Sequence, residues 1–275
     1  MLIDTHAHLN FNAYKTDDDE VIRRSLENNI WMINVGSQYE TSKRAIDIAE
    51  KYPEGVYAAV GLHPIHLAKG IFKTKIDQEE IEFETQKEHF DYEKYKELAK
   101  SPKVVAIGET GFDYWYRPKT KKKLAEFKGK QKEVFLKQLD LAKELNLPVI
   151  FHCRVAHDEL IQIIQQSNNL STIRGAIHCF TGSWEQAKKY LEMGFYIGFN
   201  GIIFKLKLDE IIQKTSLNRI LIETDCPYLT PRPMTGRNEP LYVKYVAEKI
   251  AKIKQISYKE IAKITTQNAR ELFRL

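Results

Sequence analysis

The sequence is poor in several features that would each narrow its class. Only three cysteines, Cys153, Cys179 and Cys226, occur in 275 residues. That is too few to cross-link a chain of this length into a disulfide framework. No apolar run approaches the roughly 20 residues that a membrane-crossing helix requires. The start, Met1-Leu2-Ile3-Asp4-Thr5-His6, lacks the basic residues, long apolar stretch and small-residue cleavage site of a secretory signal. Neither sign of charge dominates: 42 basic and 37 acidic residues leave a net charge of +5. A uniformly basic nucleic-acid binder is thereby excluded. The expectation is a cytoplasmic chain with no membrane contact and no obligate protein partner.

What is present is ordinary globular composition, 43% hydrophobic and 29% charged, which argues against disorder. The charge is unevenly placed. Seven lysines (Lys119, Lys121, Lys122, Lys123, Lys128, Lys130 and Lys132) stand against one acid, Glu126, so this stretch alone exceeds the net charge of the whole chain. It reads either as a solvated helix entrance or as one local basic patch.

Short apolar, β-branched runs alternate with longer amphipathic segments from end to end. Strands are predicted at residues 2–5, 31–35, 56–61, 104–109, 149–152, 175–178, 195–198 and 220–223. Helical spacing is read at 19–28, 40–51, 92–100, 131–145, 158–166, 184–193, 208–214, 239–254 and 258–273. Alternation of this kind calls for right-handed βαβ crossovers and a parallel sheet. Eight units at this length fit an α/β fold of the (β/α)8 TIM-barrel type, a single domain over residues 1–275. A doubly wound open sheet is the other candidate, but its usual glycine-rich first turn is replaced here by Asp4-Thr5-His6-Ala7-His8. The long polar connection 68–91 reads as an insertion or lid, and 117–130 as a second long loop.

The chemistry-bearing residues fall at the predicted strand ends. His6 and His8 close the first strand, Glu109 the fourth, His152 the fifth and His178 the sixth, while Asp225 lies two residues after Glu223 at the eighth. In a parallel barrel these ends converge on the C-terminal rim, where barrel active sites form. His6 and His8, one residue apart, point to the same side of an extended strand. Four histidines and two carboxylates suit a divalent transition metal better than calcium. Six ligands exceed what one open catalytic site uses and are the right number for two divalent ions sharing Glu109. Cys153, Cys179 and Cys226 each follow a rim residue, so alternation turns them toward the surrounding helices as packing groups.

These residues lie in blocks that resemble the TatD-type metal-dependent deoxyribonucleases of the amidohydrolase-like barrel superfamily. The blocks are Asp4-Thr5-His6-Ala7-His8-Leu9, Val60-Gly61-Leu62-His63-Pro64, Ile107-Gly108-Glu109-Thr110-Gly111-Phe112-Asp113-Tyr114, Phe151-His152-Cys153-Arg154, His178-Cys179-Phe180-Thr181-Gly182, Glu223-Thr224-Asp225-Cys226-Pro227 and Gly236-Arg237-Asn238-Glu239-Pro240. They run through nearly the whole chain in the family's order. The resemblance implies two divalent ions (Mg, Mn, Zn or Co) on His6, His8, Glu109, His152, His178 and Asp225. It also implies hydrolysis of DNA phosphodiester bonds, as a 3′–5′ exodeoxyribonuclease using metal-activated water. On this reading Asp225 takes a proton from the water, with Glu109 and Glu223 supporting it. His63 donates to a phosphate oxygen or fixes the turn before Pro64. Arg154 binds phosphate or pairs with Asp158, and the lysine segment attracts the DNA backbone. Tyr114, Trp115 and Tyr116 either stack on an unpaired base or pack the loop, with packing the favoured reading. The same barrel also serves hydrolysis of small-molecule amides, lactones and phosphoesters, and a non-catalytic metal-binding protein is a further alternative.

Overall fold

Strands that are apolar on both faces can bury both only inside a layered fold, and every one of these eight is buried along most or all of its length. The computed structural model describes residues 1–67, 88–115, 117–166 and 173–275. Its strands are β1 (Leu2–Ala7), β2 (Ile30–Val35), β3 (Val56–Val60), β4 (Val104–Asp113), β5 (Val149–Arg154), β6 (Gly175–Ile177), β7 (Tyr196–Phe199) and β8 (Ile220–Ile222). All neighbours pair in parallel and in chain order, β1 to β8. The circle closes through a parallel bridge between Ala7 and Cys226. There Asp225 N donates to His6 O at 2.8 Å and His8 N to Cys226 O at 3.0 Å. The architecture is the expected (β/α)8 barrel.

The helices are α1 (Asp18–Glu27), α2 (Tyr39–Ala49), α3 (Tyr92–Leu98), α4 (Lys121–Glu144), α5 (His157–Gln166), α6 (Trp184–Glu192), α7 (Asp209–Lys214), α8 (Val243–Lys254) and α9 (Tyr258–Phe273). None of the described helices is long and apolar enough to cross a membrane. The main core lies between strands and helices. A second apolar layer draws on all eight strands, including Ile3, Ile33, Ile150 and Leu221, and packs against Leu272 and Phe273 of α9.

Three boundaries differ by more than two residues from the sequence reading. First, β4 runs on to Asp113, four residues past Glu109. Second, α4 begins at Lys121 rather than Gln131, so most of the supposed 117–130 loop is helix. The lysines interrupt the apolar pattern there, yet Leu124, Phe127, Gln131 and Val134 keep a three-to-four spacing. Third, the 239–254 helix starts with a 3-10 turn, Pro240–Tyr242, before α8. The proposed insertion 68–91 lies, for residues 68–87, outside the described residues.

Two buried glutamines explain how a polar-looking α4 docks on the barrel. Gln131 accepts from Asp113 N at 3.0 Å and donates to Asp113 O at 3.2 Å. Gln138 does the same for Leu62, at 2.8 and 3.0 Å, and also donates to Thr110 Oγ1 at 2.6 Å. Each amide replaces the peptide partner that a strand end would otherwise lack.

Gly111 lets β4 and β5 approach closely beside this clamp. Its φ is +149°, and a Cβ there would sit 2.0 Å from the carbonyl oxygen of His152. We expect Gly111→Ala to destabilise the fold by roughly 2–4 kcal/mol, combining backbone strain with overpacking. Urea unfolding checks this, and an unchanged midpoint would show that the two strands can part without cost.

Candidate metal centre

The rim brings together the six sequence-proposed ligands. His6 Nε2 and His8 Nε2 face each other at 3.1 Å, as their spacing on one extended strand predicts. Asp225 Oδ1 lies 3.3 Å from His8 Nε2 and 3.9 Å from His6 Nε2. Glu109 spans two groups: Oε2 is 3.4 Å from His6 Nε2, whereas Oε1 is 2.5 Å from His152 Nδ1 and 3.6 Å from His178 Nε2. His6 and His178 stack at 3.5 Å between ring centroids. Two sets of donors therefore share one carboxylate: His6, His8 and Asp225 on one side, His152 and His178 on the other.

The far side of three imidazoles is anchored. His8 Nδ1 lies 2.8 Å from Val35 O, an acceptor only, so its proton is on Nδ1 and the Nε2 lone pair faces the centre. His178 Nδ1 lies 2.8 Å from Glu223 Oε1, an ion-pair contact off the line of a good hydrogen bond. His152 Nε2 lies 3.1 Å from Asp113 Oδ2. Anchoring of this kind orients metal-ligating histidines. Buried imidazole and carboxylate groups packed this closely fit a site for divalent cations.

A family model for TatD related DNase matches residues 3–274. The chain belongs to the TatD-related DNase family. It is 44% identical to an uncharacterized metal-dependent hydrolase, YabD, of Bacillus subtilis, over all of both chains. It is 31% identical to a protein of Edwardsiella piscicida named 3′-5′ ssDNA/RNA exonuclease TatD, again over the full length of both. Among solved structures it resembles the TatD homologue YJJV of Escherichia coli, with 28% identity, a TM-score of 0.83 and coverage of 100% of this chain and 98% of the other.

Charge in this TatD-family centre is strongly coupled. Burial would raise the Glu109 carboxyl, but the charges of His63, His152, His178 and His6 overrule it and hold it well below its usual value. Burial likewise opposes protonation of His152 and His178. Glu109 and Asp113 nonetheless lift His152 to about 9, and Glu223, Glu109 and Asp225 lift His178 to about 10. Positive charge is thus favoured at two places beside Glu109. His6 and His63 are pushed down, chiefly by burial.

The remaining sequence-proposed residues fall into place around this centre. Glu223 accepts from Cys179 N at 2.7 Å and Asn200 Nδ2 at 3.2 Å, so it is held beneath His178. His63 Nδ1 accepts from Ile65 N at 3.0 Å, which fixes the turn and leaves the proton on Nε2, 3.6 Å from Glu109 Oε1. The Arg154 guanidinium lies 4.6 Å from the Trp115 ring centroid, and Asp158 accepts from Gln186 Nε2 at 3.0 Å. Tyr114 is buried as favoured, but Trp115 is exposed, and Tyr116 lies outside the described residues. Cys153 and Cys226 are buried packing groups. Cys179 corrects the alternation argument: β6 ends at Ile177, the backbone turns to φ +44° at Cys179, and the thiol joins His178 and Asp225. Arg237 pairs with Asp17, and Asn238 donates to Thr224 O and Tyr228 O at 2.9 and 2.6 Å, so both brace the loops.

Sequence reasoning missed Asp113 and Asp4. Asp113 shares the face of Glu109 at an even offset, a signal that continuing β4 past Glu109 would have exposed. Asp4 accepts from Thr224 N and Oγ1 at 2.9 and 2.5 Å, which ties the end of β8 to β1, and burial pushes its carboxyl up to about 8.

His157, at the start of α5, turns away from the centre. Its Nδ1 lies 3.2 Å from the Tyr190 hydroxyl, and burial lowers its pKa to about 4. The unfolded chain therefore takes up this proton first as pH falls. The stabilising contribution is complete above about 6.5 and is lost between there and about 4, for a total of roughly 3 kcal/mol. We expect the gap in unfolding free energy between wild type and His157→Gln to shrink over that window, as measured by urea titration at pH 7.5 and 4.5.

Proposed function

We propose that this metal-dependent hydrolase cleaves phosphodiester bonds of nucleic acid, removing nucleotides from single-stranded DNA in the 3′–5′ direction. The observation that carries the reading is the shared carboxylate: Glu109 lies between two donor sets whose imidazoles are held by Val35 O, Glu223 and Asp113. His6, His8, Glu109 and Asp225 would hold one divalent ion, and Glu109, His152 and His178 a second. Bound there, two ions supply activation of water and neutralisation of phosphate charge. The similarity to a protein named as a 3′-5′ ssDNA/RNA exonuclease supports the choice of substrate.

The chain's own residues divide the remaining work. Asp225 is the most open of the central carboxylates, at 15% side-chain exposure, and accepts the proton of the attacking water. His63 offers an Nε2–H donor for a phosphate oxygen. Glu223 keeps the His178 ring in place from below. Arg154, two residues beyond His152, places positive charge beside the substrate phosphate. Lys119, Lys121, Lys122 and Lys123 are exposed at the start of α4, on the rim that bears the centre.

The direct test strips the protein with chelator, restores Mg²⁺, Mn²⁺, Zn²⁺ or Co²⁺ singly, and follows end-labelled single- and double-stranded DNA. Stepwise shortening from the 3′ end is expected, requiring metal and falling at least about 100-fold in His6→Ala, the scale of a lost charge-stabilising group. No cleavage by folded, metal-loaded protein would overturn the proposal. The lysines are tested separately. Changing all four to Gln should flatten the dependence of log binding constant on log salt by about 3 for a single strand, at about 0.7 per phosphate contact. An unchanged slope would place the nucleic acid elsewhere.

A further inference from the structure

Trp115 and Val155 are the two most exposed large apolar residues among those described, at 57% and 52%. Both stand at the mouth. Asp113 pairs with Arg154 at the last register position of β4 and β5, and Trp115 and Val155 follow just beyond. One carboxylate connects Trp115 to the centre: Asp113 Oδ1 accepts from Trp115 N at 2.9 Å, and Oδ2 meets His152 Nε2 at 3.1 Å. Val155 is also strained, a β-branched residue at φ +59°. Such outliers are retained where the surrounding structure gains from them. The guanidinium of Arg154 lies over the Trp115 indole at 4.6 Å from its centroid, and the residue remains more than half exposed.

We propose that Trp115, backed by Arg154, is a base-stacking plate that receives an unpaired nucleobase next to the scissile phosphate and thereby selects single-stranded ends. This rests on the phosphodiesterase reading above and adds a specificity-determining residue to it. Three physical points favour a nucleobase as the occupant. An indole face stacks on any base irrespective of sequence. The Arg154 cation and the neighbouring exposed lysines complement a polyanion, whereas they would repel a cationic ligand. The backbone of Trp115 is one carboxylate away from the His152 ring, which sets the residue carrying the plate beside the centre and favours a strand whose neighbouring phosphate reaches it. A base within a duplex has both faces already stacked and can use the plate only after unpairing.

The test uses the metal-loaded enzyme with Trp115→Ala and Trp115→Phe. On a single-stranded oligonucleotide, Trp115→Ala should raise KM about 10- to 100-fold, the usual scale of one lost base stack, with little change in kcat. Trp115→Phe, which keeps an aromatic face, should recover most of the loss. Removing the bases from the terminal nucleotides should cost the wild type the same factor and cost Trp115→Ala little more. A loss in Trp115→Ala that is equal on natural and base-free strands, or no loss at all, overturns the plate.

Binding is read without hydrolysis from tryptophan emission, in which Trp115→Phe identifies the share of Trp115 against Trp31 and Trp184. Single-stranded DNA should quench that share, and duplex should quench it less. Quenching without cleavage would leave the plate standing and remove the phosphodiesterase reading. Cleavage without quenching or a KM effect would do the reverse.

Discussion

Burying the Glu109 carboxylate at the end of a barrel strand costs several kcal/mol unless positive charge and hydrogen-bond donors meet it there. Four imidazoles do so, at 2.5 to 3.6 Å. Each then has to be oriented, because a freely rotating ring would present the wrong nitrogen. That requirement propagates outward. Ile65 N fixes His63, Asp113 holds His152, and Glu223, itself held by Cys179 N and Asn200, lies under His178; Val35 O does the same for His8 in the adjoining donor set. The contacts around the centre are therefore at least two layers deep, and the outer layer draws both on strands that bear candidate ligands, through Asp113 of β4 and Glu223 after β8, and on others, through Val35 of β2 and Asn200 after β7.

The same dependence explains how the barrel closes. The bond from Asp225 N to His6 O and the grip of Asp4 on Thr224 join the first strand to the last at the level of the ligands. Two segments more than two hundred residues apart thereby place His6, His8 and Asp225 within one donor set. The glutamines of α4 perform a corresponding task on the opposite side, where they clamp Asp113 and Leu62 and so steady the residues that hold His152 and His63. Polar residues at core-facing helix positions read as errors in a pattern, but each satisfies backbone groups that a barrel rim would otherwise leave bare.

Much of this was legible in the sequence. The alternation of apolar runs and amphipathic segments determined a parallel barrel, because a strand apolar on both faces needs helices outside it and a packed interior within. Once the strands were placed, the six candidate ligands followed from their position at strand ends, and the one-residue spacing of His6 and His8 set them on one face. The errors came where regular alternation stops. Cys179 was assigned to the helices by extending β6 past Ile177, where the chain has already turned. Asp113 was missed by ending β4 too early, and α4 was begun ten residues late because lysines hid its spacing.

The sequence was enough for the class of fold, the candidate metal ligands and the rim on which those side chains meet, since these depend on periodicity and strand polarity, which are local. Tertiary structure alone decided how the donors divide around Glu109, which nitrogen each anchored imidazole presents, and that Trp115 faces solvent against Arg154 while Tyr114 is buried. Those outcomes depend on contacts between segments far apart in the chain, and no local pattern encodes the distance between such segments.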